Sequence, residues 1–120
     1  MQILKDSGKG FTTILTPTAQ TTTNSYVDLS GSKIDTGDKG IGSLAIVLKN
    51  THAANDINWK ILGSIDDTTY VEIVAEETVQ EVSTGTAYSV ATAPYRYYKV
   101  QVKTTSAGNH GTAVVHVIAK

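Results

Sequence analysis

The stretch Tyr95-Arg96-Tyr97-Tyr98-Lys99-Val100-Gln101-Val102-Lys103 decides the fold. Tyr98, Val100 and Val102 point to one side of an extended chain, and Lys99, Gln101 and Lys103 to the other. That two-residue period belongs to a strand with one covered face. Pro94 has no N–H for a ladder, so this strand begins after it, and Thr86 to Val90 forms a separate short strand upstream. Downstream, Ser106-Ala107-Gly108-Asn109-His110-Gly111 is a turn. It leads into Thr112 to Ala119, which is apolar on both faces and therefore expected in a central or covered position.

The same period recurs further out. Leu44, Ile46 and Leu48 share one strand face against Ala45, Val47 and Lys49. Ile57, Trp59 and Ile61 alternate with Asn58, Lys60 and Leu62, which are expected to be wet, up to Gly63-Ser64. Asp66-Asp67-Thr68-Thr69 then turns the chain into Tyr70 to Val74, predicting a hairpin. Ala75 to Val82 has respectable helix formers and leaves a helix open as the alternative to a strand. Ile34 to Gly42 reads as turn chemistry throughout, and Tyr26 to Leu29 as a short strand. From Met1 to Asn24, only Phe11 to Leu15 is clearly apolar before the polar run Thr16 to Asn24. This predicts an arm or edge strand over 1–24, followed by one domain over 25–120. Some eight short strands without a convincing helix between them define an all-β chain. The expected fold is an antiparallel β-sandwich, jelly-roll-like, with an extended N-terminal arm.

Composition narrows the function. The 120 residues carry 10 basic and 11 acidic side chains, a formal net charge of −1, and a single arginine, Arg96. Without a clustered basic face, nucleic acid is not an expected partner. Lys5, Asp6 and Lys9 interrupt the first fifteen residues, so synthesis in the cytosol without a secretory signal is expected. No run is long enough to suggest a membrane partner. The lack of cysteine rules out disulfides, thiolate metal sites and a cysteine nucleophile. His52, His110 and His116 have no partner at metal-ligand spacing, and Asp35/Asp38 and Asp66/Asp67 do not follow a calcium-loop pattern. There is no phosphate loop and no G-x-S-x-G elbow. The expectation is a protein with no catalytic residue, cofactor or metal. Trp59 and Tyr98 are assigned to the core. Tyr95 and Tyr97, placed on the face of Lys99, together with Phe11, Ile14 and Leu15 of the arm, are the candidate contact surface.

The segments Trp59-Lys60-Ile61-Leu62-Gly63-Ser64-Ile65-Asp66, Tyr70-Val71-Glu72-Ile73 and Tyr95-Arg96-Tyr97-Tyr98-Lys99-Val100 resemble the rhythm of discoidin-like jelly-roll sandwiches. They are also similar to small structural proteins of tailed bacteriophages. The first resemblance implies that Trp59 and Tyr98 are framework residues and that Arg96 bonds a carboxylate or carbonyl. The absence of a terminal cysteine pair favours the second. The second implies a virion protein, a capsid decoration (head-stabilising) protein contacting the major capsid protein or other virion proteins, as a homo-oligomer with a trimer preferred. The alternatives are a carbohydrate- or cell-surface-binding module and a minor tail or baseplate subunit.

Overall fold

The computed structural model describes residues 2–3, 12–13, 19–30, 32–36, 44–81, 85–90 and 95–119. Among these residues there are eleven strands and no helix: β1 (Gln2–Ile3), β2 (Thr12–Thr13), β3 (Gln20–Thr21), β4 (Val27–Asp28), β5 (Ile34–Asp35), β6 (Leu44–Asn50), β7 (Ile57–Ser64), β8 (Val71–Val79), β9 (Thr86–Val90), β10 (Tyr97–Thr104) and β11 (Thr112–Ala119). One sheet has the order β1-β5-β10-β7-β8, with β4 also on β10, and the other has β2-β11-β6-β9, with β3 also on β11.

β10 pairs with β7 along its whole length, so β4 and β5 share its opposite edge as one interrupted strand. Ser32 bridges the interruption. Its hydroxyl accepts from the Val100 N–H at 3.1 Å and donates to the Val100 carbonyl at 3.2 Å, replacing the missing ladder. β2 and β3 likewise share one edge of β11 opposite β6. With each pair counted once and β1 set aside as an addition at the edge of β5, eight strands change sheet at every step except the β7–β8 hairpin. That connectivity is a double Greek-key jelly roll. The expected sandwich is therefore present, with every pairing antiparallel except β1 with β5.

The alternating residues meet between the sheets. Leu44, Ile46 and Leu48 face Ile57, Trp59, Ile61, Tyr98, Val100 and Val102, and all nine are at most 1% exposed. Trp59 and Tyr98 are core residues, as expected, and β11 is an interior strand.

The structure settles one open alternative and corrects two expectations. First, residues 75–79 continue β8 rather than forming the helix left open as the alternative, because six of the nine residues of β8 are paired with β7, which outweighs the weak helix preference of a short segment. Second, Ile34 and Asp35 are not turn residues but pair with β10, with Ile34 wholly buried. Third, the second face of β7 is not wet, since Asn58 is 6% and Leu62 8% exposed. Asn58 accepts hydrogen bonds from the hydroxyls of Thr78 and Thr105. Leu62 lies between Lys99 and Glu72, in a row where Lys99 reaches toward the Tyr70 ring.

Candidate interaction surfaces

Among the described residues, the outer face of the six-stranded sheet is rich in charge. Tyr26, just before β4, lies across it: its hydroxyl donates to Glu76 Oε2 on β8 at 2.6 Å, and Lys60 Nζ and Lys103 Nζ sit 4.4 and 5.5 Å from its ring centroid. Tyr70, just before β8, takes Lys99 Nζ over its ring at 4.3 Å and donates to Asp67 Oδ1 at 2.5 Å. Burial, then the carboxylate each hydroxyl faces, pushes both phenols well above their ordinary range, so both remain donors at neutral pH. Lys60 pairs with Glu72 at 2.8 Å, and Lys99 and Gln101 both reach the carboxylate of Asp28. Arg96 grips Asp35 with two hydrogen bonds, of 2.9 and 3.2 Å, and lies over the Tyr97 ring at 5.1 Å. The carboxylate partner implied for Arg96 is thus Asp35. Cation–π contacts of this exposed kind contribute about 0.5–1 kcal/mol each. Their larger consequence is that the Tyr26 and Tyr70 rings are already engaged by the protein's own ammonium groups.

Tyr95 and Tyr97 do not share a surface. Tyr97 stays on the outer side with Arg96, whereas Tyr95 packs against the core, edge-on to Tyr98 with centroids 6.1 Å apart and planes at 87°. Gly63 makes that position possible, since a Cβ there would lie 2.9 Å from the Tyr95 ring. Phe11, Ile14 and Leu15 lie outside the described residues. Tyr26 and Tyr70 open two of the strand candidates of the sequence, but each stands one residue before its observed strand, and alternation does not say what covers its ring.

The polar groups that could suggest chemistry have local tasks. His52 Nδ1 accepts the N–H groups of Ala54 and Asn55, both at 3.0 Å, and His110 Nδ1 lies 2.9 Å from Thr104 Oγ1. His116 is opposite Val47 on the outer face of the five-stranded sheet. Asp66 Oδ1 accepts from Thr68 and Thr69 N–H, closing the β7–β8 turn. Among the described residues, no three His, Asp or Glu side chains converge as metal ligands. A cleft of about 150 Å³ is lined by Ala54, Asn55, Asp56, Thr105, Ser106 and Asn109, and none of the histidines borders it.

The other outer face has a different character. On β6, β9 and β11 it presents Ala45, Val47, Lys49, Ala87, Ser89, Val114 and His116, with Lys49 the only permanent charge among them. The sheet edges differ too. β8 carries Glu72, Glu76 and Glu77, and its pairing with β7 is interrupted by register shifts around Ile61. β9, Thr86-Ala87-Tyr88-Ser89-Val90, has neither charge nor proline. Two large apolar side chains are exposed at the β7–β8 turn, Ile65 at 75% and Val71 at 46%.

No family model matches the sequence, and no curated protein sequence does. Among solved structures, the chain is similar to PirA, with TM-score 0.56 and 8% identity over 84% of this chain and 92% of that one. It is also similar to a protein of Bacillus endospore appendages, which form a family of disulfide-linked pili, with TM-score 0.53 and 12% identity over 98% and 96% of the two chains. At such identities the likeness extends to the fold alone.

Proposed function

We propose that this chain is a non-catalytic structural subunit of a phage or prophage virion, a capsid decoration (head-stabilising) protein that holds the major capsid protein or its neighbours by surface complementarity. The observation that carries the reading is the contrast between the two outer faces. On the six-stranded sheet, tyrosines, lysines and carboxylates are tied to one another. On the five-stranded sheet, a nearly uncharged, small and apolar surface is continuous with an uncharged edge strand. Apolar surface of this kind favours burial against another protein. A similar fold also occurs in the appendage protein described above. With no cysteine, this chain would have to assemble through non-covalent contacts rather than the disulfide links of those pili.

The competing reading is a carbohydrate-binding module, which needs planar rings open for stacking on a sugar. The Tyr26 and Tyr70 rings are engaged by lysines, and that weighs against it. Quantitative mass spectrometry of purified particles tests the choice. The expected result is this chain in a copy number comparable to that of the major capsid protein. Its absence from particles that contain capsid and tail overturns the virion reading, and a copy number matching tail proteins instead assigns it to the tail or baseplate.

A further inference from the structure

We propose that β9 is a homotypic pairing edge: two copies of the chain set their β9 strands antiparallel about a two-fold axis, joining their five-stranded sheets into one. The inference rests on the assembly reading above and names the contact through which copies meet.

An edge strand leaves one row of N–H and C=O groups without a ladder partner, so its natural partner is another extended strand. β9 ends the order β2-β11-β6-β9, and none of the described strands pairs with its far side. The choice of partner follows from the alternatives. Across a two-fold axis a strand meets itself, and like charges are brought together. For β8 that places the glutamates at 72, 76 and 77 near their own copies, on an edge whose ladder is already irregular. Strands β2, β3, β4 and β5 are each two residues long, too short to offer a continuous row. β9 offers five uncharged residues in regular register with β6. In a pair centred on Tyr88, Ala87 of one copy stands opposite Ser89 of the other. Both side chains are small and exposed, and both belong to the nearly uncharged outer face, which would continue across the seam. The half-buried Tyr88 rings would meet beneath it, on the core side. A self-complementary contact of this kind closes at two copies, in place of the three-fold assembly expected from sequence.

Sedimentation equilibrium of the full chain tests this. The wild type should behave as a reversible dimer. The double variants A87K/S89K and A87E/S89E should each be monomeric with an unchanged far-ultraviolet spectrum, and an equimolar mixture of the two should restore the dimer. A75K, on the exposed part of the β8 edge, should leave the dimer intact. A monomeric wild type, a trimer, open-ended oligomers, or a dimer that survives A87K/S89K each overturns the pairing. If the double variants fail to fold, amide hydrogen exchange of the wild type decides. Protection at β9 that rises with protein concentration supports the seam, and protection independent of concentration overturns it. A monomer in solution that is nevertheless abundant on particles removes the β9 contact and leaves the virion reading standing.

Discussion

Trp59 shows how much one side chain can carry. It is wholly buried between the sheets, and its indole N–H still reaches Glu77 Oε2 at 3.2 Å at the edge of its own sheet. Trp59→Ala removes the largest buried side chain and is expected to cost about 3–5 kcal/mol in chemical denaturation, as aromatic truncations in cores do. A loss under about 1 kcal/mol would mean that the ring is not a core residue in solution. Gly111 is the opposite case, a site with no room. A Cβ there would fall 2.3 Å from Ile57 Cγ2 and 3.1 Å from the Asn55 carbonyl. The same residue donates its N–H to Thr22 Oγ1 at 2.9 Å, which holds the backbone in place. Gly111→Ala should therefore destabilise by about 1–3 kcal/mol, the usual cost of overpacking, and an unchanged denaturation midpoint would show that the loop can yield. Trp59 is legible from alternation alone. The need for glycine at 111 is not, because it arises from a neighbour more than fifty residues away.

At the scale of elements, the β7–β8 hairpin is held by a small acidic turn. Thr69 and Thr68 N–H groups, then the Ser64 hydroxyl, stabilise the Asp66 carboxylate and lower its pKa. Asp67 is lowered by the hydrogen bond from Lys33, then by the one from Tyr70. A carboxylate whose pKa is depressed in the folded chain adds stability above its unfolded value, about 3.9 for aspartate, and that stability is lost as pH falls through the lower folded value. The turn should thus be indifferent to pH from 5 to 8 and loosen only in stronger acid. Followed by NMR, the amide protons of Thr68 and Thr69 should titrate together with a midpoint below about 3.9, and Asp66→Asn should abolish that titration. A midpoint at or above the ordinary aspartate value would remove the carboxylate from this role. β8 itself illustrates where local reading stops. Its glutamates and alanine suit a helix, but Glu72, Glu76 and Glu77 each find a partner in the sheet, namely Lys60, Tyr26 and Trp59.

Across the whole molecule, the described part of the N-terminal region is tied to distant strands. The Thr22 N–H donates to the Gly111 carbonyl at 3.0 Å, its hydroxyl lies 3.0 Å from that of Thr104, and the Thr104 N–H donates to the Thr23 carbonyl at 2.7 Å. β3 adds two residues to the edge of β11. Residues 20–24 therefore fasten the end of β10 to the start of β11. Deleting residues 1–19 should leave a cooperatively folding β domain. Deleting 1–24 should lower its thermal midpoint further, since it leaves buried backbone groups of Thr104 and Gly111 without partners, at about 1–3 kcal/mol per unsatisfied group. Equal midpoints for the two truncations would assign residues 20–24 to the arm and not to the sandwich. If 1–24 is an assembly arm, both truncations should also weaken oligomerisation or particle attachment, as measured by sedimentation.

The sequence by itself determined the all-β class, the strands β6, β7, β9, β10 and β11, the β7–β8 hairpin, and the two-sheet core around Trp59 and Tyr98. These depend on a two-residue alternation that any local window displays. Tertiary structure alone decided the rest. It paired Ile34 and Asp35 with β10, drew 75–79 into β8, covered Asn58 and Leu62, and turned Tyr95 inward while leaving Tyr97 outside. It also laid Tyr26 and Tyr70 across lysines from other strands, so that this outer face is occupied by its own side chains. The physical reason is common to all of these. A strand's period states which residues share a face, but what covers that face depends on side chains brought from tens of residues away, and no local pattern records their arrival.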